Sequence, residues 1–368
     1  MAKKKLNKAS KAYKRRKRRR ILFGIELLIL LVLISALFVY AKLNQQLDKI
    51  DTKTLDMEKV EINEEVVQNE KLTGYMNIAL FGLDSRDGNL EKGNSDTMII
   101  ASINNDTKEV RLISLYRDTY LNVGDDTYTK CNAAYAYGGP EQAISMMNTN
   151  LDLDITQYVS VNFDSLIEVI DMLGGIEIEV DDQEYVHLNN YCVELKEITG
   201  KDYEKLPGPG TYNMTGIQAT AYARIRYTSG NDFTRTERQR EVISKIVDKA
   251  KTAGVPTLMK IMDKVFPMIS TNLQKNEIID MGMSMLSYQI TETAGFPFEH
   301  TEKKVKKQDC VIPDNLETNV VQLHQFLFAD EAYAPSDTIH KRSKYTVELT
   351  GIGKNKSVDS SSDESSEE

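Results

Sequence analysis

Between Arg224 and Gln239 the chain gathers Arg224, Arg226, Arg235 and Arg238 with Asp232 and Gln239 around a glycine-containing turn. Guanidinium groups are planar, permanently charged and able to hydrogen-bond phosphate oxygens in pairs, so several of them converging suit a diphosphate better than a single carboxylate. The alternative is a solvated helix face, because Arg235, Glu237 and Arg238 also fit the start of an amphipathic helix that continues through Val242, Ile243, Ile246 and Val247.

Two carboxylates complete the chemistry. Asp84 and Asp96 fall at the ends of predicted strands on either side of the loop 85–95, so both reach one edge of a sheet. Beside a diphosphate such a pair suits a divalent ion: magnesium takes one or two carboxylates and fills its octahedron with water and phosphate oxygens. The competing reading makes Asp84 the start of a turn and Asp96 a loop cap. Arg117-Asp118 after the third strand adds a cation and a carboxylate at the same edge, or else a surface ion pair of little energetic weight. His187, His300, His324 and His340 lie outside these motifs, which disfavours Ser-His-Asp or histidine-metal chemistry. Cys131, Cys192 and Cys310 are odd in number and far apart, compatible with one disulfide and one free thiol without specifying the pair.

The elements that must position these residues follow from hydrophobic patterning. Residues 77–84, 97–103 and 110–115 are short apolar runs bounded by turn residues, as buried strands are, and Asn105-Asp106-Thr107-Lys108 is a tight connection between the last two. Helices are predicted over 140–150, over 165–173 with Asp164 as cap and Gly174-Gly175 as stop, and over 215–224, 235–253, 256–267, 275–289 and 316–329. Strands at 176–180 and near 309–312 accompany them, while 181–210 reads as an irregular surface lobe. The sum is an α/β domain, residues 74–332, in which a central, mostly buried sheet is flanked by helices.

Residues 1–20 hold twelve lysines and arginines and no acidic residue, and 21–41 is an apolar stretch of membrane-crossing length. By the positive-inside rule the tail is cytoplasmic and everything after Ala41 is external: a stalk over 42–73, the domain, and an extension from 333 ending in an acidic, serine-rich segment expected to be disordered. Against a formal net charge of −9 for the whole chain, that basic tail leaves the external part strongly acidic. Such a surface excludes nucleic-acid binding as the domain's task and leaves the tail as a topology signal and an anionic-lipid contact.

Taken in order, Gly82-Leu83-Asp84-Ser85-Arg86, Ser95-Asp96-Thr97, Ser114-Leu115-Tyr116-Arg117-Asp118-Thr119, Lys130-Cys131-Asn132-Ala133-Ala134-Tyr135 with Gly138-Gly139, and the Arg224–Gln239 run resemble the LytR-CpsA-Psr family over about residues 74–250. The family normally carries proline where Tyr116 stands. The resemblance implies a membrane-anchored phosphotransferase that moves a glycopolymer from an undecaprenyl-diphosphate carrier to peptidoglycan. It also implies Asp84 and Asp96 as ligands of Mg2+ (or Mn2+), with Arg86, Arg117, Lys130, Arg224, Arg226, Arg235 and Gln239 around the diphosphate. Arg238, their neighbour, belongs either there or in an ion pair with Glu237 or Glu241. Asp232 orients Arg226 or Arg235, or serves as general base for the acceptor hydroxyl. The lipid requires a dry slot, for which the apolar faces around 143–147, 166–173 and 217–222 are candidates. A pyrophosphatase using the same anion site, a transcriptional attenuator on the wrong side of the membrane for DNA, and a wall-binding module are the competing functions. The polymer itself is not readable from these motifs.

Overall fold

The structure, a computed structural model, describes residues 40–353 apart from 43, 46, 85–89, 91–92 and 229–230. Arg86, nearly all of the apolar 21–41 segment and the acidic end at 357–368 therefore lie outside the described residues. The chain divides at Lys49 into two units, and the second, from Ile50 onward, carries the fold. None of the described helices is long and apolar enough to cross a membrane.

The strands are β1 (Asp51–Thr52), β2 (Tyr75–Leu83), β3 (Ser95–Asn104), β4 (Glu109–Leu115), β5 (Tyr120–Asn122), β6 (Tyr128–Lys130), β7 (Gln157–Asn162), β8 (Ile176–Val180), β9 (Gly210–Met214), β10 (Ile269–Thr271), β11 (Gln289–Phe296), β12 (His300–Val305) and β13 (Gln308–Pro313). Seven of them form one mixed sheet in the order β1-β10-β7-β2-β3-β4-β11. The runs expected at 77–84, 97–103 and 110–115 are its centre, and their unbroken hydrophobicity has a plain cause: both faces are covered. Ala79, Phe81, Ile100 and Ile113 meet helices Ala133–Leu151 and Leu316–Phe328 on one side. Ile78, Ile99, Ala101 and Leu112 lie on the other, with Ile243 of the long helix Asn231–Thr252 against them. Period-two alternation thus splits each strand between two cores.

A second cluster builds a lobe from β8, β9 and helices Glu184–Thr199 and Gly216–Arg224. Its closest packing is at Gly216, where a Cβ would lie 2.2 Å from the Ile167 carbonyl oxygen, so only glycine lets this helix rest on Phe163–Met172.

Several expectations are corrected. Residues 181–210 are not irregular, since they contain helix Glu184–Thr199, ended by Gly200 at φ 69°; its weak amphipathicity hid it. Helix Phe163–Met172 is capped by Asn162, whose side chain accepts from the Ser165 amide at 3.0 Å, and not by Asp164. The helix predicted over 275–289 stops at Met283, and Gln289–Phe296 instead becomes edge strand β11, parallel to β4. Helix Asp337–Thr350, absent from the sequence reading, packs on Ala133–Leu151 and Leu316–Phe328.

Candidate functional site

Strand direction brings the motifs together. β2, β4, β7 and β11 run the same way while β3 runs against β2 and β4, so Asp84, Arg117 and the start of β3 share one end of the sheet. There the β2–β3 register slips: Gly82 faces Thr97 and Leu83 faces Ser95, leaving Asp96 as the extra residue of a bulge. Gly82 is required beneath it, because a Cβ would sit 2.9 Å from the Thr97 Cβ. Asp84 follows β2 directly and is exposed.

Around Asp96 and Asp232 three guanidinium groups assemble. Arg117 places Nη1 2.7 Å from Asp96 Oδ1 and Nε 3.7 Å from Asp232 Oδ1. Arg235, with its side chain only 3% exposed, pairs with Asp232 at 2.9 Å and donates to the Asp96 carbonyl at 3.3 Å. Arg226 is the most open of the three and approaches Asp96 at 4.0 Å and Asp232 at 3.9 Å. Lys130 joins the rim through Asp118 at 3.1 Å.

Crowding shows in the electrostatics. Burial pushes Arg235 down to about 10, the neighbouring Arg117 and Arg226 charges push the same way, and Asp232 opposes them. For Arg117 burial also pulls downward, but Asp96 and Asp232 outweigh it and hold the group above its usual value. The Nε atoms of Arg117 and Arg235 and the Oε1 of Gln239 are buried without a hydrogen-bond partner among the described residues. Buried donors and acceptors of that kind are costly unless a ligand satisfies them.

Behind this polar end lies an apolar cavity of about 210 Å3 between the sheet and helices Phe163–Met172, Gly216–Arg224 and Asn231–Thr252. Leu80, Ile99, Val159, Leu166, Ala223 and Ile243 contribute to its lining. Leu83, Thr97 and Gln239 also line it, and they connect it to the charged cluster: Leu83 precedes Asp84, Thr97 follows Asp96, and Gln239 is one helical turn beyond Arg235. Of the three apolar faces considered from sequence, 166–173 and 217–222 supply Leu166 and Thr220. Residues 143–147 do not, because Ala143, Ile144, Met146 and Met147 pack on the opposite face of the sheet.

Residues 37–325 match the family model for the LytR_cpsA_psr family. The chain belongs to that family. An Enterococcus faecalis protein named polyisoprenyl-teichoic acid--peptidoglycan teichoic acid transferase TagU is 33% identical over 262 residues, covering 70% of this chain and 80% of its own. Among solved structures, an Enterococcus faecalis protein described as a transcriptional regulator is 26% identical with a TM-score of 0.59, and the match covers 77% of this chain and 98% of that one. A LytR-CPS2A-psr family protein, YwtF (TagT), with bound octaprenyl pyrophosphate lipid, has the same fold at 21% identity and a TM-score of 0.51, over 70% and 92% of the two chains.

Not every arginine of the family motif converges. Arg238 is buried and turned away: Nε meets Glu184 at 2.8 Å, Nη1 the Ile225 carbonyl at 3.1 Å and Nη2 the Thr228 hydroxyl at 2.8 Å. Its ion-pair partner is thus neither Glu237 nor Glu241; Glu241 instead accepts from the Tyr222 hydroxyl at 2.8 Å. Arg224 pairs with Glu194 at 2.9 Å and lies over the rings of Phe163 and Tyr191. Both brace the lobe against the site.

Sequence reasoning missed two supports. Arg240, 4% exposed, donates to Ser114 Oγ at 2.7 Å and so ties the long helix to β4 beside Arg117. Tyr116, which departs from the family's proline, packs edge-on against Phe233 at 4.6 Å and over Gly295, where a Cβ would strike its hydroxyl. His300 lies tilted against Phe233, ring centroids 4.6 Å apart, outside the charged cluster. The three cysteines are free and buried, with no disulfide, and Cys131 Sγ donates to the Tyr116 carbonyl at 3.2 Å. One signal was available for Arg240: it is one turn beyond Thr236 on the face that carries Phe233.

Proposed function

We propose that this protein is a membrane-anchored phosphotransferase that attaches a cell-wall glycopolymer, carried on undecaprenyl diphosphate, to peptidoglycan. The supporting observation is the juncture itself, a cluster of arginines and carboxylates at the end of a dry apolar cavity, matching a substrate that joins a diphosphate to a hydrocarbon chain. The TagU relative's name describes this type of transfer to peptidoglycan, and YwtF holds an octaprenyl pyrophosphate.

In this reading a hydroxyl of the acceptor attacks the polymer-proximal phosphorus, a new P–O bond forms, the bridging P–O bond breaks to release undecaprenyl phosphate, and the hydroxyl proton leaves to the departing phosphate or to water. Charge on the transferring phosphoryl group and on the departing phosphate is the main obstacle. Arg117, Arg226 and Arg235 neutralise it, and Gln239 stands beside the diphosphate at the cavity mouth. Asp232, surrounded by these guanidinium groups, orients them more naturally than it abstracts a proton.

A divalent ion fits the donor set. Arg117, Arg226, Arg235 and Lys130 are matched in number by Asp84, Asp96, Asp118 and Asp232, so the described side chains leave little positive charge for a diphosphate. Asp84 and Asp96 would hold Mg2+ or Mn2+, which when bound supplies the missing charge and orders the phosphate oxygens.

The deciding experiment incubates the full chain with a synthetic undecaprenyl-diphosphate-linked donor and peptidoglycan oligomers. Polymer covalently joined to peptidoglycan supports transfer, whereas free polymer phosphate alone would make the protein a pyrophosphatase.

A further inference from the structure

Helix Val255–Val265 is the most strongly amphipathic of the described helices, yet the domain leaves one flank of its apolar face partly uncovered. At 3.6 residues per turn, Val255, Leu258, Met259, Ile261, Met262 and Val265 share one side while Lys260, Asp263 and Lys264 share the other. Val265 is buried at 3% exposure, but Leu258, Met259, Ile261 and Met262 are only half-buried and Val255 is 60% exposed. Val255, Met259 and Met262, spaced i, i+4, i+7, form the flank of the stripe turned furthest from Val265.

Its place in the fold says what covers it. The helix packs on Phe163–Met172, whose Phe163 and Leu166 line the apolar cavity from the other side. It then continues through Phe266–Met268 into β10, which begins with Ile269 opposite Val161, near the sheet end that carries Asp84. β1 pairs with β10, with Asp51 opposite Ser270. The nine residues Lys42–Ile50 separate the apolar 21–41 segment from Asp51, and a chain of that length spans at most about 30 Å. An anchor in the bilayer therefore keeps this helix within a short tether of the membrane surface.

We propose that Val255–Val265 lies in the plane of the membrane interface, with Val255, Met259 and Met262 in the acyl boundary and Lys260 and Lys264 at the level of the lipid phosphates. The outer wall of the cavity then rests on the bilayer, and the carrier lipid passes between them without its chain crossing water. This rests on residues 21–41 spanning the membrane and on the cavity taking the lipid chain.

The chain contains no tryptophan, which gives a clean probe. Val255→Trp and Met259→Trp are made singly in the full-length protein and reconstituted into phosphatidylcholine–phosphatidylglycerol vesicles whose acyl chains carry bromine, a contact quencher of indole fluorescence. Leu286→Trp, 72% exposed on the turn after helix Lys275–Met283, is the control. That helix is anchored by Glu277 to Gln157, at the opposite end of β7. Leu33→Trp reports the anchor. Quenching at 255, 259 and 33 but not at 286 is the expected result. Quenching at 33 with full emission at 255 and 259 overturns the proposal while the anchor stands. Full emission at all four positions overturns both. A blue shift at 255 and 259 that follows protein concentration without quenching would assign the stripe to a second copy and likewise overturn the proposal.

Discussion

Arg117 and Asp96 meet at 2.7 Å across the end of the sheet, Nη1 against Oδ1, and among the described residues this pairing leaves Asp96 Oδ2 with no ion-pair partner nearer than Arg226 at 4.0 Å. The arginine thus fixes the carboxylate's plane while one oxygen stays available. A bulge in β3 and the exit of β4 are both needed for that geometry.

Asp84 has no comparable structural duty, being exposed just past β2. Asp84→Ala should leave the free energy of unfolding within about 0.5 kcal/mol of wild type, while transfer falls steeply and no longer responds to added magnesium. Unfolding instead of inactivation, seen by circular dichroism, would return Asp84 to the role of a turn residue.

Arg226 and Arg235 should separate by burial. Arg226→Lys keeps the charge at a partly open position but loses the planar fork, so donor binding should weaken by about 1 to 3 kcal/mol with stability nearly unchanged. Arg235→Ala strips the nearest partner from Asp232 inside the site and should cost both activity and about 2 kcal/mol or more of stability. Isothermal titration with the lipid-linked donor, beside thermal melts, resolves the two. Near wild-type affinity in Arg226→Lys would remove this cluster as the phosphate site.

Ala223 faces the apolar cavity at 6% exposure. Ala223→Leu should fill space that the carrier chain requires, raising KM for a long-chain donor on the order of tenfold, about 1.4 kcal/mol. A donor with a very short chain should be affected far less. The added burial leaves the thermal midpoint equal or higher. Equal loss for both donors would place the lipid elsewhere.

His324 is fully buried, stacked on Tyr333, with Nε2 3.1 Å from the Leu151 carbonyl. Burial lowers its pKa to about 4, against a partial opposing pull from the Leu151 carbonyl and Asp152. The unfolded chain binds a proton near pH 6.5 that the folded state refuses until about pH 4, so stability is full above that window and lost as pH falls through it. The shift corresponds to about 3 kcal/mol. His324→Gln, which keeps a donor toward Leu151, should flatten the dependence of the thermal midpoint between pH 7 and 4. An unchanged slope would mean that other groups govern acid unfolding.

The buried strands 77–83, 97–103 and 110–115 were legible because a sheet covered on both faces demands continuous apolar runs. The motif order identified the family before any contact was known. Helix Glu184–Thr199 and strand β11 were not legible: one spreads apolar residues over several faces, with Val186, Val193 and Ile198 exposed opposite its buried Leu188, Cys192 and Leu195, and the other, an exposed edge strand, is defined by its pairing with β4.

What the sequence by itself determined is the inventory: the arginines, the paired aspartates, the apolar elements, the basic start and the family they indicate. Only the tertiary structure decided which of these residues meet. Arg235 and Arg238 are three positions apart on one helix, yet the first enters the Asp96–Asp232 cluster and the second is bound to Glu184 in the lobe. Three residues turn a helix by about 300°, which is enough to direct neighbouring side chains to different partners. Which partner each finds depends on residues as distant as Glu184 and Asp96, brought there by the packing of the lobe and the slip between β2 and β3. Spacing along the chain records neither.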